Sequence, residues 1–148
     1  MFIEIESKRK PNIVVGCLYK HPVMPTKEFN KNIITNIFSR INMEGKRLVL
    51  LGDFNINLLD YKNNNEVKNF VDILQSNLIA PTKNLPTRVS TQSSTLIDNM
   101  FISLFNTEIY AGNLLVRISN HMPQVLIIYN EFEKRDKKIS NPSQLEWS

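Results

Sequence analysis

Apolar and polar positions divide this chain into short segments with two different periods. Phe2-Ile3-Glu4-Ile5-Glu6 alternates with period two, the pattern of a half-buried strand. Asn12 to Tyr19 is β-branched and nearly continuous in apolar residues, which reads as a buried strand. Pro22 and Pro25 break that pattern. Over residues 26–44, Phe29, Ile33, Ile34, Ile37, Phe38 and Ile41 recur at helical spacing. An amphipathic helix is predicted there, capped by Thr26 and followed by Gly45. Leu48-Val49-Leu50-Leu51 forms a short apolar strand that stops abruptly at Gly52-Asp53. A second helix is predicted over about residues 65–76, with Val67, Phe70, Val71 and Leu74 inward and Asn63-Asn64-Asn65 as the loop before it. Strand-like segments follow near 78–80, 96–103, 108–117 and 124–129. From Glu131 the chain is polar, so the expected organisation is one domain over residues 1–130 and a polar tail over 131–148.

This order of elements predicts an α/β layered domain, a mixed sheet with flanking helices. Its early strands have parallel neighbours and its later ones antiparallel neighbours. A length of 148 residues with 42% hydrophobic positions supports one packed core, and 22% charged residues argues against wholesale disorder. The net charge of +4 suits a polyanionic partner. Its most basic runs, Lys8-Arg9-Lys10 and Lys134-Arg135-Asp136-Lys137-Lys138, are of a kind more often found on solvated surface. The one cysteine, Cys17, excludes an intramolecular disulfide and is expected as a buried core thiol. No apolar run reaches the length of a membrane span, and Glu4, Glu6 and Lys8 interrupt any signal sequence. An intracellular protein, neither secreted nor membrane-bound, is expected.

Chemistry concentrates in three places. Asp53 stands at the end of a buried strand, where α/β sheets usually place their sites. In an extended chain Asn55 would point the same way, so the pair could hold a water: the carboxylate takes its proton and the amide positions it. Gly52 would let the backbone approach a ligand. A lone strand-end Asp is more often a turn former. Asp98 lies among Leu96, Ile97, Met100, Phe101 and Ile102, where a carboxylate demands a partner. His121, in Ile118-Ser119-Asn120-His121-Met122-Pro123, is the candidate, although a lone loop histidine is more often merely satisfied locally.

Together these segments resemble the three C-terminal motifs of the endonuclease/exonuclease/phosphatase superfamily: Gly52-Asp53-Phe54-Asn55, Ile97-Asp98 and Ser119-Asn120-His121. Tyr19-Lys20-His21-Pro22 resembles an earlier tyrosine motif. Pro86-Thr87-Arg88 and Ser94-Thr95-Leu96-Ile97-Asp98-Asn99 are similar to the branch found in retrotransposons that lack long terminal repeats. The resemblance implies the C-terminal part of a four-layer, DNase I-like α/β sandwich and Mg²⁺- or Mn²⁺-dependent cleavage of phosphodiester bonds in DNA. It implies Asp53 as general base, Asn55 as the amide that orients water or phosphate, and Asp98 as the carboxylate that orients a catalytic His121. Tyr19, Thr87 and Arg88 are implied on the substrate side, and a nuclear location if the chain derives from a retrotransposon. Two departures fall on the metal side. No segment matches the family's opening asparagine and glutamate strands, and Asn120 stands where the family has an aspartate and would be a weaker metal ligand. The expectation is therefore a partial, catalytically impaired nuclease domain that self-associates through an uncovered sheet face. The alternative is a non-catalytic nucleic-acid-binding or interaction domain that keeps the fold.

Overall fold

Two largely apolar strands lie side by side at the centre of the computed structural model, which describes residues 1–6, 11–103, 108–116 and 119–129. The basic runs and the tail at 131–148 lie outside these residues, as does the last position of the segment expected at 108–117. Strand β2 (Asn12–Tyr19) pairs in parallel with β3 (Lys46–Asp53), so both end at the same edge. Strand β7 (Asp98–Ser103) runs antiparallel against β3, and β4 (Ile79–Pro81) antiparallel against β7. With β1 (Phe2–Ile5) antiparallel on β2, the order is β1-β2-β3-β7-β4, a mixed five-stranded sheet. Two small hairpins, β5 (Arg88–Val89) with β6 (Ser94–Thr95) and β8 (Ile109–Asn113) with β9 (Gln124–Ile128), complete the described strands.

Helices cover one face of this sheet. A continuous helical stretch comprises α1 (Thr26–Phe29), a π-helical turn at Asn30–Ile34 and α2 (Thr35–Arg40). Helix α3 (Asn65–Ser76) begins where the Asn64 side chain accepts from the backbone of Glu66 and Val67, and it buries Val67, Phe70, Val71 and Leu74. The buried Asn30 side chain ties the two helical stretches together by donating to Asn69 Oδ1 at 3.1 Å. Among the described residues no helix is long and apolar enough to cross a membrane.

Several details differ from the periodicity argument. The first helix is capped by no side chain: Pro25 holds the N-cap position, and its carbonyl accepts from Phe29 N–H. The stretch ends at Arg40 rather than near residue 44, because Asn42 Oδ1 takes the Glu44 N–H at 2.9 Å, a local turn that competes with helix. Strand β1 is exposed on both faces. Cys17 is exposed rather than buried. The helices cover the face that carries Val14 and Gly16, and the alternation of β2 puts Cys17 on the other, beside Val15 and Ile3.

The core is aromatic at its centre. Phe29, Phe54, Phe70 and Phe101 have no exposed surface. Phe54 meets Phe101 edge-on with centroids 5.1 Å apart and Phe70 at 5.7 Å. Its backbone N–H also donates to Ile97 O at 2.9 Å, so the turn after β3 is anchored to the residue just before β7. Truncating this ring removes buried area and leaves a cavity among three other rings. Phe54→Ala is expected to lower unfolding stability by about 3–5 kcal/mol in chemical denaturation. A loss under about 1 kcal/mol, the range of ordinary surface changes, would contradict this placement.

Candidate active site

Strand pairing brings the first two candidate residues together. Asp53, the last residue of β3, is the direct cross-strand partner of Asp98, the first residue of β7. Tyr19, the last residue of β2, is the partner of Asp53 on its other side and is 62% exposed. Gly52 is needed for strand packing. A Cβ there would lie 1.7 Å from the Leu18 carbonyl oxygen, and its φ of +153° is one that side chains rarely adopt.

After Asp53 the chain turns instead of extending. Asn55 is left-handed, with φ of +47°. Asp53 Oδ1 accepts the Asn55 N–H at 3.1 Å, and Asn55 Nδ2 donates to the Lys20 carbonyl at 2.8 Å. The two side chains are thus fixed by a turn and by the end of β2, not by the alternation of a strand. Lys20 itself is buried beneath them. Burial lowers its pKa, and the carboxylates of Glu66 and Asp53 offset part of that.

His121 reaches the same edge from the far end of the chain. Its backbone bridges Arg88, and Met122 N–H donates to the Thr87 carbonyl at 2.8 Å. Gln124 Nε2 donates to the Asp98 carbonyl at 2.8 Å, which seats the start of β9 against the start of β7. His121 Nδ1 then lies 3.1 and 3.0 Å from the two Asp98 carboxylate oxygens. A carboxylate only accepts, so Nδ1 carries the proton and Nε2 is left for a ligand. Asp53, Asp98 and His121 each offer a ligand atom within 4.8 Å of the others.

Among the substrate-side candidates the structure separates Arg88 from Thr87. Arg88 is exposed. Thr87 has no exposed surface, and its Oγ1 accepts from the backbone of Ile97 at 3.3 Å and of Asp98 at 3.1 Å. Thr87 therefore holds the start of β7, its hydroxyl oxygen engaged with the backbone of that strand. The Asn120 amide lies against Arg88, 3.2 Å from Nε and Nη2; because both of these are donors, the orientation that satisfies the contact is the one with the amide oxygen turned to them as acceptor. A cleft lined by Val89, Leu115, Val116, Ser119, Asn120 and Met122 opens beside that pair.

Periodicity gave no sign of Lys83. Its Nζ donates to Asn113 Oδ1, and Asn113 Nδ2 donates to the Pro86 carbonyl at 2.7 Å. Burial pushes the Lys83 ammonium down to about 8, while the Asp98 carboxylate pulls the other way. The only sequence signal was one cation in a short Pro-flanked loop, which does not distinguish it from surface lysines.

The fit of a divalent cation can be judged from the donors. Two carboxylates held opposite one another repel, and hard oxygen donors in such a pair suit Mg²⁺ or Mn²⁺. Asp53 and Asp98 therefore fit the ion, whereas Asn120 is engaged elsewhere and uncharged.

No protein-family model and no curated protein matches the chain. Solved structures do. An endonuclease/exonuclease/phosphatase family protein from Leptotrichia buccalis C-1013-b is 17% identical, with a TM-score of 0.63 over 87% of this chain and 53% of that one. The endonuclease domain of TRAS1, a telomere-specific non-LTR retrotransposon, is 18% identical, with a TM-score of 0.64 over 84% of this chain and 59% of that one. An endonuclease/exonuclease/phosphatase family protein from Bacteroides thetaiotaomicron is 14% identical, with a TM-score of 0.50 over 81% and 50%. The chain thus spans about half the length of the structures it matches.

Lys83 generates a prediction about pH. Its folded pKa, about 8, lies below the ordinary 10.5, so between those values the unfolded chain binds more protons. Stability contributed through Lys83 therefore rises with pH across that window. Wild type is expected to gain on Lys83→Met in unfolding free energy as pH is raised from 7 to 10. A difference that does not change with pH would show that the ammonium is not desolvated.

Proposed function

We propose that this chain, which has the fold of endonuclease/exonuclease/phosphatase proteins, carries the water-activating and phosphate-facing side of a metal-dependent DNA phosphodiesterase site of the retrotransposon type. The observation that carries this reading is the convergence of Asp53, Asp98 and His121 at one sheet edge. In it Asp53 takes a proton from the attacking water. Asn55, whose Nδ2 is committed to Lys20, offers Oδ1 to the same water. Asp98 fixes the ring of His121, whose Nε2 addresses the phosphate. The Tyr19 phenol and the Arg88 guanidinium contact the DNA backbone. Asp53 and Asp98 would hold Mg²⁺ or Mn²⁺, and the chemistry such an ion would supply is charge neutralisation. A nuclear, reverse-transcriptase-associated setting accompanies this reading.

Turnover by this chain alone is weak in this proposal. Its metal side has two carboxylates, and Asn120 adds an uncharged amide directed elsewhere. Mn²⁺ is expected to broaden the NMR signals of Asp53, Asp98 and His121 selectively, and Asp53→Ala to abolish that broadening. Plasmid nicking in Mg²⁺ is expected to be little or none. Unbroadened signals at millimolar Mn²⁺ would remove the metal site. Robust nicking, sensitive to chelator and lost in Asp53→Ala, would overturn the impairment. The engagement of Asn120 with Arg88 favours a second reading, a non-catalytic nucleic-acid-binding domain, which predicts DNA binding with no Mn²⁺ effect.

The uncovered face of the sheet belongs to the same proposal. Ile3 is 51% exposed, and with Val15 and Cys17 it forms an apolar row that promotes self-association. Sedimentation velocity is expected to show species larger than a monomer, shifted towards monomer by Ile3→Lys. A monodisperse wild-type monomer would refute this.

A further inference from the structure

Arg88 and Asn120 meet because the Arg88–His121 backbone bridge sets them side by side. Asn120 presents its amide oxygen to Nε and Nη2 of the guanidinium, 3.2 Å from each. The reverse orientation would set donors against donors. Five N–H groups belong to a guanidinium, so three remain unspent by this fork. Among the described residues Arg88 is in no ion pair. Both residues are exposed, yet the backbone beneath them is rigid, since the preceding Thr87 is fully buried and bonded to β7.

The identity of the acceptor decides what this fork does. A carboxylate at 120 would make a charge-assisted fork and cancel most of the field of Arg88. An amide of the same shape fixes the plane of the guanidinium and leaves its full charge. The result is a directed, uncompensated cation on the residue whose backbone bridges His121. That is what a backbone phosphate requires: fork geometry and net positive charge.

We propose that Asn120 is a positioning residue that aims Arg88 at a DNA phosphate flanking the one addressed by His121. This inference rests on the DNA reading above. It reverses the meaning of the amide, which serves phosphate binding rather than being a weakened metal ligand.

The test is binding of the full chain to a labelled DNA duplex, read by fluorescence anisotropy in EDTA over a series of KCl concentrations. Arg88→Gln is expected to weaken binding about tenfold near 0.1 M salt and to reduce the slope of log K against log salt by about one. Asn120→Asp should do the same although it removes no cation. The double variant should be no weaker than Arg88→Gln alone. Arg88→Lys, which keeps the charge and loses the fork, should bind less tightly than wild type and make the amide irrelevant to affinity. Thermal unfolding checks that each variant folds, which the exposure of both side chains favours. Wild-type affinity in Asn120→Asp under EDTA, or tighter binding by that variant once Mg²⁺ is added, overturns the inference and returns residue 120 to the metal side. Failure of wild type to bind DNA at any salt concentration sinks the DNA reading itself, and this inference with it.

Discussion

One aromatic ring holds the site in place. Phe54 lies between Asp53 and Asn55 in sequence and has no exposed surface. Its packing against Phe70 and Phe101 draws the turn after β3 into the core, and its N–H fastens that turn to Ile97. Asp53 is then presented at the sheet edge by a residue that itself never reaches solvent. Without such an anchor the left-handed conformation of the half-buried Asn55 would be one of many the turn could take. The entropy of ordering it, about 1–2 kcal/mol per residue for backbone, is offset by the ring burial.

The electrostatic logic follows from that anchoring. Register fixes Asp53 opposite Asp98, which is an unfavourable pairing of like charges. The surroundings answer with cations and donors rather than separation. Lys20 lies buried below Asp53, Lys83 is held by Asn113 near Asp98, and His121 donates to the Asp98 carboxylate. Thr87 and Gln124 add no charge. They hold the two ends of the Asp98 backbone unit, one through its N–H and the other through its carbonyl.

Much of this was legible in residue order, and the reasons for the remainder are specific. The second helix and the central strands follow from spacing, because their inner faces are apolar without interruption. The first helix begins at residue 26 as expected but differs in its cap and in its end, because the Pro25 carbonyl and the Asn42 side chain act through local hydrogen bonds that hydrophobic period does not report. Cys17 looked buried because strand β2 is apolar on both faces, while the described residues cover only one of them. Asp53, Asp98 and His121 could be singled out as carboxylates and an imidazole in unusual surroundings. Thr87 was placed on the substrate side by the resemblance of Pro86-Thr87-Arg88 to a family motif, and residue order does not report that its hydroxyl accepts from two backbone N–H groups. Only burial distinguishes a hydroxyl that serves the backbone from one that serves a ligand.

The sheet order β1-β2-β3-β7-β4 also has a meaning in the time domain. During synthesis β4 leaves the ribosome before β7, yet in the finished sheet β7 separates β4 from β3. The edge of β3 must therefore stay open until the chain has been made at least to Ser103, and the seat of His121 must wait for Gln124. Until then the nascent polypeptide shows an unpaired apolar strand edge, the kind of surface that holdase chaperones recognise and that aggregates when left unattended. The same delay means that no ribosome-bound intermediate shorter than that can assemble the Asp53–Asp98–His121 group, which comes together only after the sheet has closed.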